Sequence, residues 1–327
     1  RHELKNIGDV IPITIAEQPI LLVKNNRSEI NAFHNVCSHR CLKLVDKTKN
    51  VKKIISCPYH AWAYDLDGNL IASPHFGGTN NHKPKNFIIS DNGLKSVRIK
   101  TWHDWIFINL NNNAPTFDKY ATPLINQLKD INLENIKPVA TLDFGVIKTN
   151  WKFLIENFIE PYHVQFVHKN TTSQPLKDHY TIVDGMCYGS GVDLEEEDSS
   201  SDNLSVTSKY LSLFPNFIIG TYFPGQLGVY LNTPISIDQT YQKRIIYTTQ
   251  GNNLTKSQIE KQKNLWWKVH KEDHEICQRL QEGRSSQVAI SGGILSPHWE
   301  NSVRAFQKIV IKYTNKSKKR KKEKIYV

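Results

Sequence analysis

Apolar and polar positions divide the chain into two stretches of different rhythm. Between residues 10 and 110 the apolar residues come in short β-branched runs closed by turn formers, at 10–15, 19–23 and 93–99. Such runs predict strands. Asn25-Asn26 separates two strand-like pieces, and Leu66-Asp67-Gly68-Asn69 predicts a tight turn. The region reads as all-β. Residues 111–123, opening Asn111-Asn112-Asn113-Ala114-Pro115, read as a linker, with a boundary between 111 and 135. Beyond it the pattern is mixed. Trp151, Leu154, Ile155 and Phe158 recur at helical spacing within residues 150–168. Strand character returns at 214–220, 228–231 and 244–248, and residues 254–282 predict one long helix stopped by Gly283. Asp193-Leu194-Glu195-Glu196-Glu197-Asp198 with the following serines predicts an acidic, mobile loop. The expected class is α+β, with domains at 1–125 and 126–327.

Composition narrows the function. A chain of 327 residues suits two domains and can bury a sizeable core. Its 39% hydrophobic and 22% charged residues exclude general disorder. The longest apolar runs, such as Ile106-Phe107-Ile108, fall far short of the ~18 residues of a membrane span, and no signal peptide is visible. No membrane role is expected. The net charge of +11 is concentrated between Lys316 and Lys324, where seven basic residues face one acidic. Residues 315–327 therefore read as a solvated basic tail, with a docking strip for an acidic redox partner as the alternative and no nucleic-acid partner expected. Five scattered cysteines, an odd number, argue against a disulfide framework and fit a reducing cytoplasm.

Two segments carry metal chemistry. Residues 37–39 read Cys-Ser-His and 57–60 read Cys-Pro-Tyr-His, so each short segment supplies one thiolate and one imidazole. A Rieske [2Fe–2S] cluster needs two of each, thiolates on one iron and imidazoles on the other. A zinc site also takes two Cys and two His, but usually pairs like with like. Further on, His163 and His168 stand five apart. On a regular helix they would not share a face, so a metal reading needs a break, for which Pro161 supplies a reason; otherwise they are ordinary partly buried histidines. Asp273 falls on the apolar stripe Trp266, Val269, Ile276, Cys277 and Leu280 of the long helix. A carboxylate there asks for a metal ion or a buried salt bridge. Glu272 points a further 100° round the helix, towards solvent, by the helical period.

Together these motifs resemble the α-subunit of Rieske non-haem iron oxygenases, the ring-hydroxylating oxygenase family. The resemblance spans nearly the whole chain: Cys37, His39, Arg40, Cys57, His60 and Trp62, then Asn150-Trp151-Lys152, Glu156-Asn157-Phe158, Glu160, His163, His168, Phe214-Pro215-Asn216, Glu272-Asp273 and Gln281-Glu282-Gly283. It implies an N-terminal Rieske β-domain and a C-terminal helix-grip domain, an antiparallel sheet curled round a long helix. Cys37, His39, Cys57 and His60 would hold the cluster, and His163, His168 and Asp273 a mononuclear Fe(II). Asn157 and Glu160 would take the catalytic positions. In a head-to-tail homotrimer Glu160 would bridge His163 to the neighbour's cluster histidine. The partners implied are O2, a small-molecule substrate and a separate reductase, with or without a ferredoxin, since no Gly-rich dinucleotide fingerprint occurs in the chain.

Two departures from the family pattern carry expectations. Cys41 replaces the usual Gly and implies a slightly altered first loop, while Tyr59 leaves no partner for an inter-loop disulfide. Glu160, where ring-attacking members usually have Asp, resembles the members that oxidise carnitine, choline and betaine. Such a cation would sit among aromatic rings, with Tyr222, Phe223, Tyr230 and Trp299 as candidates. The alternatives are an aromatic-ring hydroxylase and, in another class, a plain Rieske electron carrier. Cys187 and Cys277 are expected as core spectators.

Overall fold

The computed structural model describes residues 1–172, 174–193, 207–222, 225–249 and 254–323, with side chains as far as 315. The acidic run 194–198 with its serines, Phe223, and the side chains of the basic tail from Lys316 onward lie outside the described residues. The chain divides into two compact units, Arg1–Phe117 and Asp118–Val327.

The first unit is a set of small antiparallel sheets. Strands β1 (Asp9–Ile15), β2 (Gln18–Lys24), β3 (Ile30–His34) and β4 (Lys49–Asn50) form one sheet in the order β3-β2-β1-β4. Strands β5 (Ile55–Ser56), β6 (Ala63–Tyr64) and β7 (Leu70–Ala72) form a second, and β8 (Arg98–Trp102) pairs with β9 (Trp105–Asn109). Period-two alternation splits β2 between two cores. Leu21 and Val23 join Val10, Ile55, Tyr64 and Leu66, while Ile20 and Leu22 join Leu4 and Val97 on the other face. The predicted strand at 93–99 does not form as such. Its hydrogen bonds go to neighbouring segments (Leu94 N to Gly68 O, Val97 N to Ala32 O), and the strand starts at Arg98.

In the second unit, α1 (Phe117–Gln127) occupies part of the expected linker, its Ala121 and Leu124 buried. Strands β10 (Lys137–Ile147), β11 (His179–Asp184), β12 (Cys187–Asp193), β13 (Thr207–Leu213), β14 (Phe217–Tyr222), β15 (Gln226–Pro234) and β16 (Thr240–Thr248) make one antiparallel sheet in the order β10-β16-β15-β14-β13-β12-β11. Helices α2 (Trp151–Ile159), α3 (Val164–Val167), α4 (Lys256–Gly283) and α5 (Asn301–Glu323) complete it. Ile155 and Ile159 of α2, Val303 and Phe306 of α5 and Tyr188, Ile218 and Tyr230 of the sheet share a core. Full burial of each such apolar side chain contributes roughly 1.5–3 kcal/mol. Asn150 caps α2 by accepting from Lys152 N, and Thr255 with Gln258 forms a capping box on α4. Gly283 is the last residue of α4, not a left-handed stop; Arg284 closes the helix in right-handed geometry. The backbone of α5 runs through Glu323, so part of the solvated basic tail is helical. Among the described residues no helix is long and apolar enough to cross a membrane.

Candidate functional site

The two Cys/His segments fold into matching loops in the first unit. Cys37 N donates to Leu42 O at 2.8 Å and Cys41 N to Cys37 O at 2.9 Å; in the second loop Cys57 N donates to Trp62 O at 2.7 Å and Ala61 N to Cys57 O at 3.0 Å. Cys41 and Ala61 take the same left-handed conformation, φ 55° in each. Cys41 adopts the turn a glycine would make, at a strain of about 1–2 kcal/mol. Both Cys37 and Cys57 are buried, and the phenol of Tyr64 lies 3.2 Å from Cys37 Sγ. The rings of His39 and His60 approach to 4.7 Å, with His39 stacked on Trp62 and Tyr59 against His60. Two buried thiols beside two imidazoles of the same loop pair form the donor set a Rieske cluster requires.

In the second unit α2 ends at Ile159 with Glu160 as its cap, before Pro161, and α3 begins at Val164. This break lets both histidines face α4. His163 Nε2 and His168 Nε2 lie 3.6 and 3.1 Å from Asp273 Oδ1, and one ligand atom from each residue falls within a 4.8 Å group. The opposite ring nitrogens are held by carboxylates: His163 Nδ1 by Glu160 Oε1 at 2.6 Å, His168 Nδ1 by Glu272 Oε2 at 2.8 Å. A carboxylate only accepts, so each Nδ1 donates, and Nε2 is the nitrogen of each ring turned to Asp273, where a metal ion would take the place of its proton. Asn157 Nδ2 donates to Asp273 Oδ1 at 2.9 Å. Glu160 Oε2 accepts from Tyr162 N and from His163 N.

Glu272 does not project to solvent as the helical period suggested. It turns back to His168 and accepts from Thr171 Oγ1 at 2.7 Å. Its adjacency to Asp273 was legible in sequence; its partner 104 residues away was not. Electrostatics follow the geometry. Burial opposes charge on His168, but Asp273 and then Glu272 outweigh it and push the imidazole up to about 9. Asp273 is largely withdrawn from solvent, which opposes its charge, yet His168 and His163 hold it well below the usual carboxylate range. A cluster of this polarity is what a divalent cation with two imidazoles and one carboxylate would satisfy. Cys187 and Cys277 are fully buried, and burial pushes Cys187 up to about 12.

Among the described residues the aromatic candidates do not come together as one cage. Tyr222 and Tyr230 pack around the guanidinium of Arg244, and Trp299 lies against His298 in the turn before α5. Arg244 went unnoticed in the sequence, although a charge at an inward position of the β16 alternation, between Gln242 and Ile246, is the signal that marks it.

Comparison with known proteins places this geometry. The Rieske [2Fe-2S] domain profile matches residues 1–83, and that of the ring hydroxylating alpha subunit (catalytic domain) matches residues 127–316. The glycine betaine monooxygenase oxygenase subunit of Pseudomonas aeruginosa is 34% identical over 166 residues, 51% of this chain but 37% of that protein. The carnitine monooxygenase oxygenase subunit of Escherichia coli is 27% identical over 296 residues, 87% of this chain and 76% of that protein. A crystal structure of the quaternary ammonium Rieske monooxygenase CntA superposes with TM-score 0.79 at 21% identity, covering 95% of this chain and 86% of that one.

Proposed function

The chain belongs to the ring-hydroxylating α-subunit family, and from that premise we propose that it is the terminal oxygenase of a Rieske-type electron chain acting on a quaternary amine. Residues 1–125 would carry the cluster and 126–327 the catalysis. The observation that carries the reading is the convergence of His163 Nε2, His168 Nε2 and Asp273 Oδ1 below two carboxylate-held imidazoles. The named relatives that act on betaine and carnitine support the substrate class.

The residues fit both metal groups. Cys37, Cys57, His39 and His60 would hold the cluster, and His163, His168 and Asp273 the iron. When bound, these groups supply one-electron transfer and O2 activation. The protein's own part is positional. Glu160 and Glu272 fix the ring orientation and hold a proton on each Nδ1, so that Nε2 is the nitrogen each imidazole would present to a metal ion. Asn157 is a positioning residue that holds Asp273 Oδ1 by its amide. Glu160 Oε2 is already held by two backbone N–H groups, and each carboxylate oxygen offers two lone pairs. The same carboxylate can thus accept from a cluster imidazole of a neighbouring subunit in a homotrimer, the bridge we assign to it. Electrons come from a separate reductase. The test is iron content together with product-coupled O2 uptake, using a surrogate reductase and a trimethylammonium substrate. About three irons per chain and coupled uptake are expected. About two irons per chain would remove the mononuclear site and leave an electron carrier.

A further inference from the structure

Arg244 lies within β16 and is entirely withdrawn from solvent. Its Nη1 donates to the hydroxyl of Tyr230 and stands 3.4 Å from His270 Nε2. The guanidinium carbon sits 3.4 Å from the centre of the Trp266 ring. Gly228 makes the room, for a Cβ there would stand 2.6 Å from Nη2. Nε and Nη2, however, find no hydrogen-bond partner among the described residues. Those two groups form one edge of the guanidinium, the fork that grips a carboxylate through two parallel bonds. Cation–π contact with Trp266 and the two tyrosines offsets part of the cost of burying this charge, but leaves the fork unused.

Arg244 also neighbours the elements that carry the metal-ligand cluster. His270 precedes Asp273 by three residues on α4, about 4.5 Å of rise. Tyr230 packs on Phe158 with ring centres 4.8 Å apart, and Phe158 follows Asn157, which holds Asp273. Arg244 and the metal-ligand residues thus share neighbours on α2 and α4. A second cation in the same aromatic shell would be repelled by Arg244, so the Tyr222 and Tyr230 rings do not serve a trimethylammonium head directly.

We propose that Arg244 is a substrate-carboxylate site, and that the substrate is a trimethylammonium acid rather than an alcohol such as choline. The ammonium half of this statement rests on the function proposed above; the carboxylate half rests on Arg244 alone. The experiment is calorimetric titration of the iron-loaded protein with four matched probes: carnitine, its methyl ester, choline and 3-hydroxybutyrate. Carnitine should bind about 30-fold or more tighter than its ester, the loss expected when a buried charge loses its partner. Arg244→Gln should erase that difference, and Arg244→Lys should restore only part of it, because an ammonium has no fork. Equal affinity of the unaltered protein for acid and ester overturns the proposal, and this comparison stands even if the variants fail to fold. A preference for the acid that survives in Arg244→Gln overturns it as well. Choline binding as tightly as carnitine removes the carboxylate site and leaves the amine reading intact. Arg244-dependent binding of 3-hydroxybutyrate as tight as that of carnitine upholds the carboxylate site and removes the amine reading.

Discussion

Replacing Glu272 separates a ligand-orienting carboxylate from a surface one. Its Oε2 accepts from His168 Nδ1 at 2.8 Å and from Thr171 Oγ1 at 2.7 Å, and its side chain is 28% exposed. In Glu272→Gln the amide oxygen can still accept from both donors, so only the charge assistance is lost. A charge-assisted bond is worth roughly 1.5–3 kcal/mol against 0.5–1.5 for a neutral one, so the difference is about 1.4 kcal/mol, or tenfold. Glu272→Ala strands both donors. Water reaches a side chain this exposed and repairs part of the loss, which sets the expected weakening of iron binding at about tenfold to hundredfold. The assay is anaerobic competition for Fe(II) or Co(II) against a chelator of known affinity, with the visible spectrum of the cluster as an internal control. Glu272→Ala with unaltered metal affinity would refute the argument, because His168 would then need no carboxylate to present Nε2.

Three further outcomes follow from the same structure. Glu160→Gln should retain both metal groups and a reducible cluster yet lose product formation; normal turnover would remove the bridge, and loss of the trimer first would make Glu160 a structural pair. Alkylation of the native protein near pH 8 should label the exposed Cys41 and spare Cys187, whose thiol stays protonated until about 12, and fully buried Cys277; mass spectrometry of peptides reads this directly. His270 is buried, and burial first and Arg244 second hold it well below the ordinary histidine range. The unfolded chain then takes up a proton near pH 6.5 that the fold refuses, so stability falls on acidification, by about 1.4 kcal/mol between about pH 7.5 and 5.5. Urea midpoints of metal-loaded protein should show that fall diminished in His270→Gln; an equal fall in both would assign the pH dependence elsewhere.

What the sequence determined by itself is local. The paired Cys/His loops, the break at Pro161 and the apolar stripe that carries Asp273 are each written within a few residues, because backbone preference and helical period act over one or two turns. The tertiary structure decided what depends on distant pairing. Residues 93–97 carry a strand-like pattern but give their hydrogen bonds to Gly68 and Ala32, and α1 forms in a stretch whose Asn and Pro content reads as linker because Ala121 and Leu124 find a core. Period placed Glu272 on the wet side of α4, but His168 and Thr171, about a hundred residues earlier, offer two donors that outweigh solvation of the carboxylate. Arg244 shows the same limit from the other side. Alternation along β16 turns it inward, but only the fold stacks it on Trp266 from another element and leaves one edge of its guanidinium unpartnered among the described residues. Contacts of that separation have no local signature, since the free energy that selects them comes from desolvation and packing in the assembled core.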